Sequence, residues 1–84
     1  MVMDDTAMDQ MILIVLAEQG TQGHTAGTIS KLTRQYQAPV SVRDVATRLP
    51  HLAARSYVIQ SLADPQVWYI TPAGIKWAEQ NRRK

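Results

Sequence analysis

The sequence predicts a mainly α-helical domain with one small β-hairpin: a three-helix core, a two-stranded wing and a C-terminal helix. Three observations carry this. Between Ser41 and Ala54 apolar residues recur at helical spacing. From Ser56 the pattern changes to two short alternating runs, Ser56–Ser61 and Val67–Thr71, around an Asp64-Pro65 turn. Thr71-Pro72 then opens a further helix that leads into a basic tail.

The first helix is expected from Thr6 to Gln19. Thr6 is suited to the cap, Asp9 stands three residues on in the acidic place of a capping box, and Gly20 suits the position just past the end. Its apolar run from Met11 to Ala17 goes around most of the helix instead of forming one stripe, so more than one face must be covered. A spare face made by Met11, Ile14 and Val15 is a candidate contact for a second copy of the chain; cover by the other helices is the alternative.

Gly20-Thr-Gln-Gly-His24 reads as a turn, and Thr25 can cap a second helix running to about Gln37, stopped by Gln37-Ala-Pro39. Ala26, Ile29, Leu32 and Tyr36 form its inner stripe, with Lys31 and Arg34 outside it. Ser41 caps the third helix, with Asp44 as capping-box partner. At about 100° per residue, Val42, Val45, Ala46, Leu49, Leu52 and Ala53 gather on one side, while Asp44, Thr47 and His51 point away, flanked by Arg43 and Arg48.

Pro50 is discordant there, costing roughly 3 kcal/mol in a regular helix interior. A second register therefore stands beside the first: a helix from Val42 to Leu49, a turn at Pro50-His51, and a helix from Leu52 to Leu62. The alternation of Ser56–Ser61, and the need of Val67–Thr71 for a partner strand, favour one kinked helix followed by a hairpin. That hairpin pairs Tyr57–Ser61 with Val67–Thr71 and turns Val58 and Ile70 to the core, with Trp68 beside them. Thr71 caps the last helix with Pro72 in its first turn, and Ile75 and Ala78 face the body. Trp77 is either a core anchor or part of a dimer seam.

Composition narrows the function classes. An 84-residue chain has room for one domain (1–84, with 1–5 expected disordered and 81–84 a basic tail) and one modest core, which favours a binding module over an enzyme. Without cysteine there is no disulfide framework or thiolate metal site, and neither a phosphate loop nor a nucleophile motif is present, so no cofactor, no metal and no catalysis are expected. The apolar run near the N-terminus is too short to span a membrane and is flanked by acids, which predicts a soluble, cytoplasmic protein. The net charge of +2 conceals an asymmetry: residues 1–23 carry four acids and no base, whereas residues 24–84 hold nine Lys and Arg against three acids, a net of +6. A basic body suits a polyanion, because each neutralised phosphate releases condensed counterions.

This ordering resembles the winged helix-turn-helix domains of the multiple-antibiotic-resistance and phenolic-acid regulator types. Ile12 to Ala17 is similar to the family's I-x-x-x-L-A first helix, Leu52-Ala-Ala-Arg-Ser-Tyr-Val58 to its L-x-x-x-G-[LY]-V, and Trp68-Tyr-Ile-Thr-Pro-Ala-Gly74 to its wing exit Y-x-L-T-x-x-G. The resemblance covers nearly the whole chain from Met8 and rests on short, permissive motifs. It implies a transcriptional regulator that binds double-stranded DNA, with the helix at about 41–54 in the major groove and the 56–71 hairpin, as wing, reaching the neighbouring backbone or minor groove. The spare face of the first helix adds the expectation of a homodimer.

Carried over by residue, it implies that Ser41, Arg43, Thr47, Arg48 and His51 face the bases and that Thr25, Thr28, Lys31 and Arg34 anchor phosphates, with Gln60 and Gln66 on the wing. The sequence departs from the family at two points: the wing tip has no Lys or Arg, and Ser56 stands where a glycine is usual, at a position that often needs a positive φ. The alternative reading is a protein-interaction module, or a subunit of a larger complex, held through the first and last helices. With no segment left for ligand sensing, a regulator of this size would be controlled by its abundance, oligomeric state or a partner.

Overall fold

The computed structural model describes residues 4–20, 22–36 and 39–82. Among them the chain forms four α-helices and a three-stranded antiparallel sheet. Their order is α1 (Asp5–Gln19), β1 (His24–Thr25), α2 (Ala26–Thr33), α3 (Val42–Ala54), β2 (Val58–Gln60), β3 (Val67–Ile70) and α4 (Pro72–Arg82). The expected disordered start and basic tail lie partly outside the described residues, as do Thr21 of the first turn and Gln37-Ala38 of the expected helix stop. Within them, Asp4 and Asp5 begin α1, and Asn81 continues α4.

Asp4, not Thr6, caps α1: its Oδ1 accepts the Ala7 N–H at 2.7 Å. A carboxylate at this position also meets the positive end of the helix dipole. Asp9 is thereby no cap partner but an interior residue, 4% exposed. The apolar girdle of α1 is explained by its place, since α2, α3, α4 and β3 all pack against it. Ile12, Leu13, Val15 and Leu16 are buried there, each contributing roughly 1.5–3 kcal/mol of apolar transfer.

Helix α2 starts at the expected cap, with Thr25 Oγ1 accepting the Thr28 N–H at 3.2 Å, but ends at Thr33, about a turn before Gln37. The incoming strand of chain stops it. Ser30 Oγ donates to the Val40 carbonyl at 2.6 Å, and the Val40 N–H donates to Thr33 Oγ1 at 2.9 Å. These buried hydroxyls, inside the core, satisfy a backbone that must cross from α2 to α3.

Helix α3 is a single element that runs through Pro50, capped by Ser41 Oγ on the Asp44 N–H at 3.1 Å. Pro50 and Ala46 are both exposed, which places the proline on the solvent side of the helix, where the hydrogen bond it removes is least costly. The buried stripe is Val45, Arg48, Leu49 and Leu52, at i, i+3, i+4 and i+7. Two expectations are corrected: Val42 and Ala46, assigned inward, are exposed, and Arg48, assigned outward, is buried.

The α3 end closes by two bonds, Ser56 N–H to the Ala53 carbonyl at 2.9 Å and Tyr57 N–H to the Leu52 carbonyl at 3.0 Å. This pattern requires a left-handed residue between them. Ser56 supplies it at φ 66°, the only non-glycine with positive φ among the described residues. The hairpin pairs Val58 with Ile70, Ile59 with Tyr69 and Gln60 with Trp68, the register expected from the alternation. Strand β1 has no sequence signal: it adds to the other edge of β3, with His24 opposite Trp68 and Thr25 opposite Val67.

Thr71 joins both ends of this segment. Its Oγ1 donates to the Ser56 carbonyl at 2.6 Å and accepts the Gly74 N–H at 3.1 Å, capping α4 as expected. Gly74 lies so close to the Tyr57 carbonyl that any side chain would overlap it. Beyond it Ala78 is buried, Ile75 is half-buried, and the Trp77 ring lies tilted on Tyr57 with centroids 5.9 Å apart.

Candidate nucleic-acid interface

The residues expected to meet nucleic acid divide by location. On α2, Thr28 and Lys31 are exposed, as is Arg34 at its C-cap; at the start of and along α3, Ser41, Arg43, Thr47 and His51 are exposed; on the hairpin, Gln60 and Gln66 are exposed. Thr25 is half-buried, and its hydroxyl caps α2. Thr47 Oγ1 donates back to the Arg43 carbonyl at 2.9 Å, which leaves its oxygen as an acceptor only. Gln60 is tied across the hairpin tip, its Nε2 donating to the Pro65 carbonyl.

An open cleft of about 400 Å³ links these elements. It is lined by Thr25, Ala26 and Gly27 from the start of α2, Ala46 from α3, and Gln66 and Trp68 from the hairpin. No acidic side chain lines it. The first-turn N–H groups and positive dipole end of α2 favour an anion there, and the small residues Gly27 and Ala46 allow close approach.

Arg48 has a different role from the one its helix-wheel position suggests. Its Nε donates to Asp9 Oδ1 at 2.8 Å and its Nη2 to Asp9 Oδ2 at 2.9 Å, while Nη1 lies 3.3 Å from Asp5 Oδ2. The bidentate bond to Asp9 raises the Arg48 pKa above its ordinary value; desolvation opposes this, and the charges of Asp9 and Asp5 add to it. The guanidinium is therefore a fixed cation whose charge is consumed inside the protein. Within α3 this leaves Arg43 as the exposed arginine; Arg55, the C-cap of the helix and passed over in the favoured sequence register, is exposed as well. Arg55 stands three residues after Leu52 and seven after Arg48, in line with the buried stripe, so its exposure follows from the helix ending there and not from the wheel.

The candidate dimer residues divide too. Val15 is 1% exposed and is part of this chain's own core, so it is not available to a second copy. Met11, Ile14 and Trp77 are half-buried and pack against that core, and α4 packs on α1. The exposed large apolar residues among those described are elsewhere: Val42 at 47%, Ile59 at 56% and Leu62 at 103%. Sequence reasoning did not single out the last two.

Among the described residues no cluster of three or more His, Asp or Glu could hold a metal ion, and no helix is long and apolar enough to cross a membrane. Comparison with protein-family models, curated proteins and solved structures found no match for this chain.

Proposed function

We propose that this chain is a winged helix-turn-helix protein that binds double-stranded DNA as a small transcriptional regulator, without catalysis. The observation that carries the reading is the cleft itself: the start of α2, Ala46 of α3 and the hairpin border one concavity lined by no acid, with Lys31 and Arg43 exposed on the two helices and Arg34 and Arg55 exposed at their C-caps. In this reading α3 enters the major groove. Arg43 pairs with guanine O6 and N7 through its planar fork, and Thr47 and His51 meet neighbouring base edges. Thr28, Lys31, Arg34 and the first turn of α2 hold phosphates and fix the register, and Arg55 does the same at the far end of α3. Arg48 touches no DNA; it positions α3 on α1.

A salt titration against random-sequence duplex DNA tests this. With about four cations at the interface, the slope of log K against log salt should be near −3 to −4. Replacing Lys31 and Arg34 with alanine should make it shallower by nearly two, whereas Arg43→Ala should weaken a selected site more than random sequence.

One observation favours a second reading, a protein-interaction module. The outward face of α3 carries Val42, Ala46, Pro50 and Ala54 as well as Arg43, and all of them are exposed. Absence of DNA binding at low salt would give that surface to a protein partner.

A further inference from the structure

The hairpin tip departs from what a phosphate-binding loop needs. Ala63, Asp64, Pro65 and Gln66 offer no cation, and Leu62 is 103% exposed. A singly exposed leucine is ordinary on a protein surface. This one is held by a built turn. Ser61 Oγ accepts the N–H groups of Ala63 and Asp64, both at 3.2 Å, and Asp64 Oδ1 accepts the Gln66 N–H at 3.0 Å. The Val67 N–H bonds to the Asp64 carbonyl at 3.0 Å, and Ser61 N–H to the Val67 carbonyl at 2.8 Å. Gln60 Nε2 adds a bond to the Pro65 carbonyl. The loop is thus closed on itself by its own polar groups, and its acid is occupied as a turn acceptor. What it presents outward is a branched apolar side chain on a backbone already ordered by these bonds, so contact costs the rotamer freedom of one leucine and little of the loop's own.

From this we infer that Leu62 is an apolar wedge, inserted from the minor groove between two stacked base pairs beside the site that α3 reads. The inference rests on the DNA-binding reading above. Gln66, at the base of the tip, lines the same cleft as Ala46 of α3 and the start of α2, so the tip is continuous with the proposed interface. Leucine and proline are suited to partial unstacking, which costs a few kcal/mol per step and is offset by the surface the kinked duplex then meets. The wedge needs no cation, because Lys31, Arg34 and Arg43 supply the charge. It also gives specificity without a base contact: pyrimidine–purine steps unstack most easily, so a TA or CA step should recur at a fixed distance from the bases that Arg43 reads.

The test uses the full chain and the duplex it enriches from a random-sequence pool. 2-Aminopurine is placed at successive steps to report unstacking, and dyes on the duplex ends report bending. Wild type should raise 2-aminopurine fluorescence several-fold at one step and shorten the end-to-end distance. Leu62→Ala should abolish both signals and weaken binding by roughly tenfold. Leu62→Lys should retain affinity through an added phosphate contact yet restore neither signal, which separates wedging from simple contact. Circular dichroism of both variants checks that they fold. An unchanged bend and fluorescence with Leu62→Ala would overturn the wedge while leaving DNA binding standing. Enrichment of no duplex would overturn the DNA reading, and this inference with it, and would turn Leu62 toward an apolar pocket on a protein.

Discussion

On its inner face, α3 buries Val45, Arg48, Leu49 and Leu52, and the Arg48 charge is spent on Asp9. On its outer face Arg43, Thr47, Pro50 and Ala54 meet solvent. Two arginines five residues apart thus have opposite duties. The buried one fixes where the helix lies on α1, and the exposed one is available to a ligand. The same residue type in the same helix cannot be assigned a function from its distance to other basic residues; what decides is which stripe of the wheel it occupies and whether a carboxylate waits there.

The largest expected effect breaks the inner face. Arg48→Ala leaves Asp9 buried without a partner and should cost roughly 3–5 kcal/mol of unfolding free energy in urea titrations. Asp9→Leu combined with Arg48→Met should recover most of that loss, because the pair replaced together leaves no uncompensated charge. The sign of the pH dependence follows from the raised Arg48 pKa: its contribution is complete below the unfolded-state value and is lost only as pH rises through the higher folded-state value, so moderately alkaline buffer should not weaken it. An Arg48→Ala protein as stable as wild type would mean the clamp does not orient α3.

Next in size, Gly74→Ala drives a methyl group into the Tyr57 carbonyl and should destabilise by roughly 2–3 kcal/mol, seen as a lower urea midpoint. It probes the joint between α3, the hairpin and α4, and should act independently of Arg48. Arg43→Ala sharpens the contrast from the other side. Stability should change by less than about 0.5 kcal/mol, while binding to a selected duplex weakens by about 1–3 kcal/mol. The smallest effect has the opposite direction. Ser56→Gly removes the strain of a left-handed serine and should raise the unfolding free energy by about 0.5–1 kcal/mol, a few degrees in Tm.

Much of this was legible in the residues, for identifiable reasons. The hairpin register follows from a side-chain period of two and a single turn between two alternating runs. The cap at Ser41 is a local demand that the neighbouring residues announce, whereas the positive φ at Ser56 was expected only through the family resemblance, whose motif has glycine there. The Asp9 to Arg48 pair was not legible. Its members are 39 residues apart, and each residue type is ordinarily solvated. Once Arg48 takes an inward place, the buried stripe of α3 rotates, and Val42 and Ala46 are carried out to solvent. Strand β1, with two residues, is too short to show any period, and the early end of α2 depends on Val40 returning to the hydroxyls of Ser30 and Thr33. The outward assignments of Arg43, Thr47 and His51 depend only on the wheel, and those residues are exposed.

The most direct test of the central claim, that the outer face of α3 binds DNA while the inner face holds the fold, is one salt titration. Purified protein is titrated with random-sequence duplex DNA at rising salt, with Arg43→Ala and the Asp9→Leu/Arg48→Met double variant alongside. The account predicts binding that weakens steeply with salt, a loss in Arg43→Ala, and nearly wild-type binding in the folded double variant. No binding at low salt by the wild-type protein, or an Arg43→Ala curve that overlays it, would contradict the account.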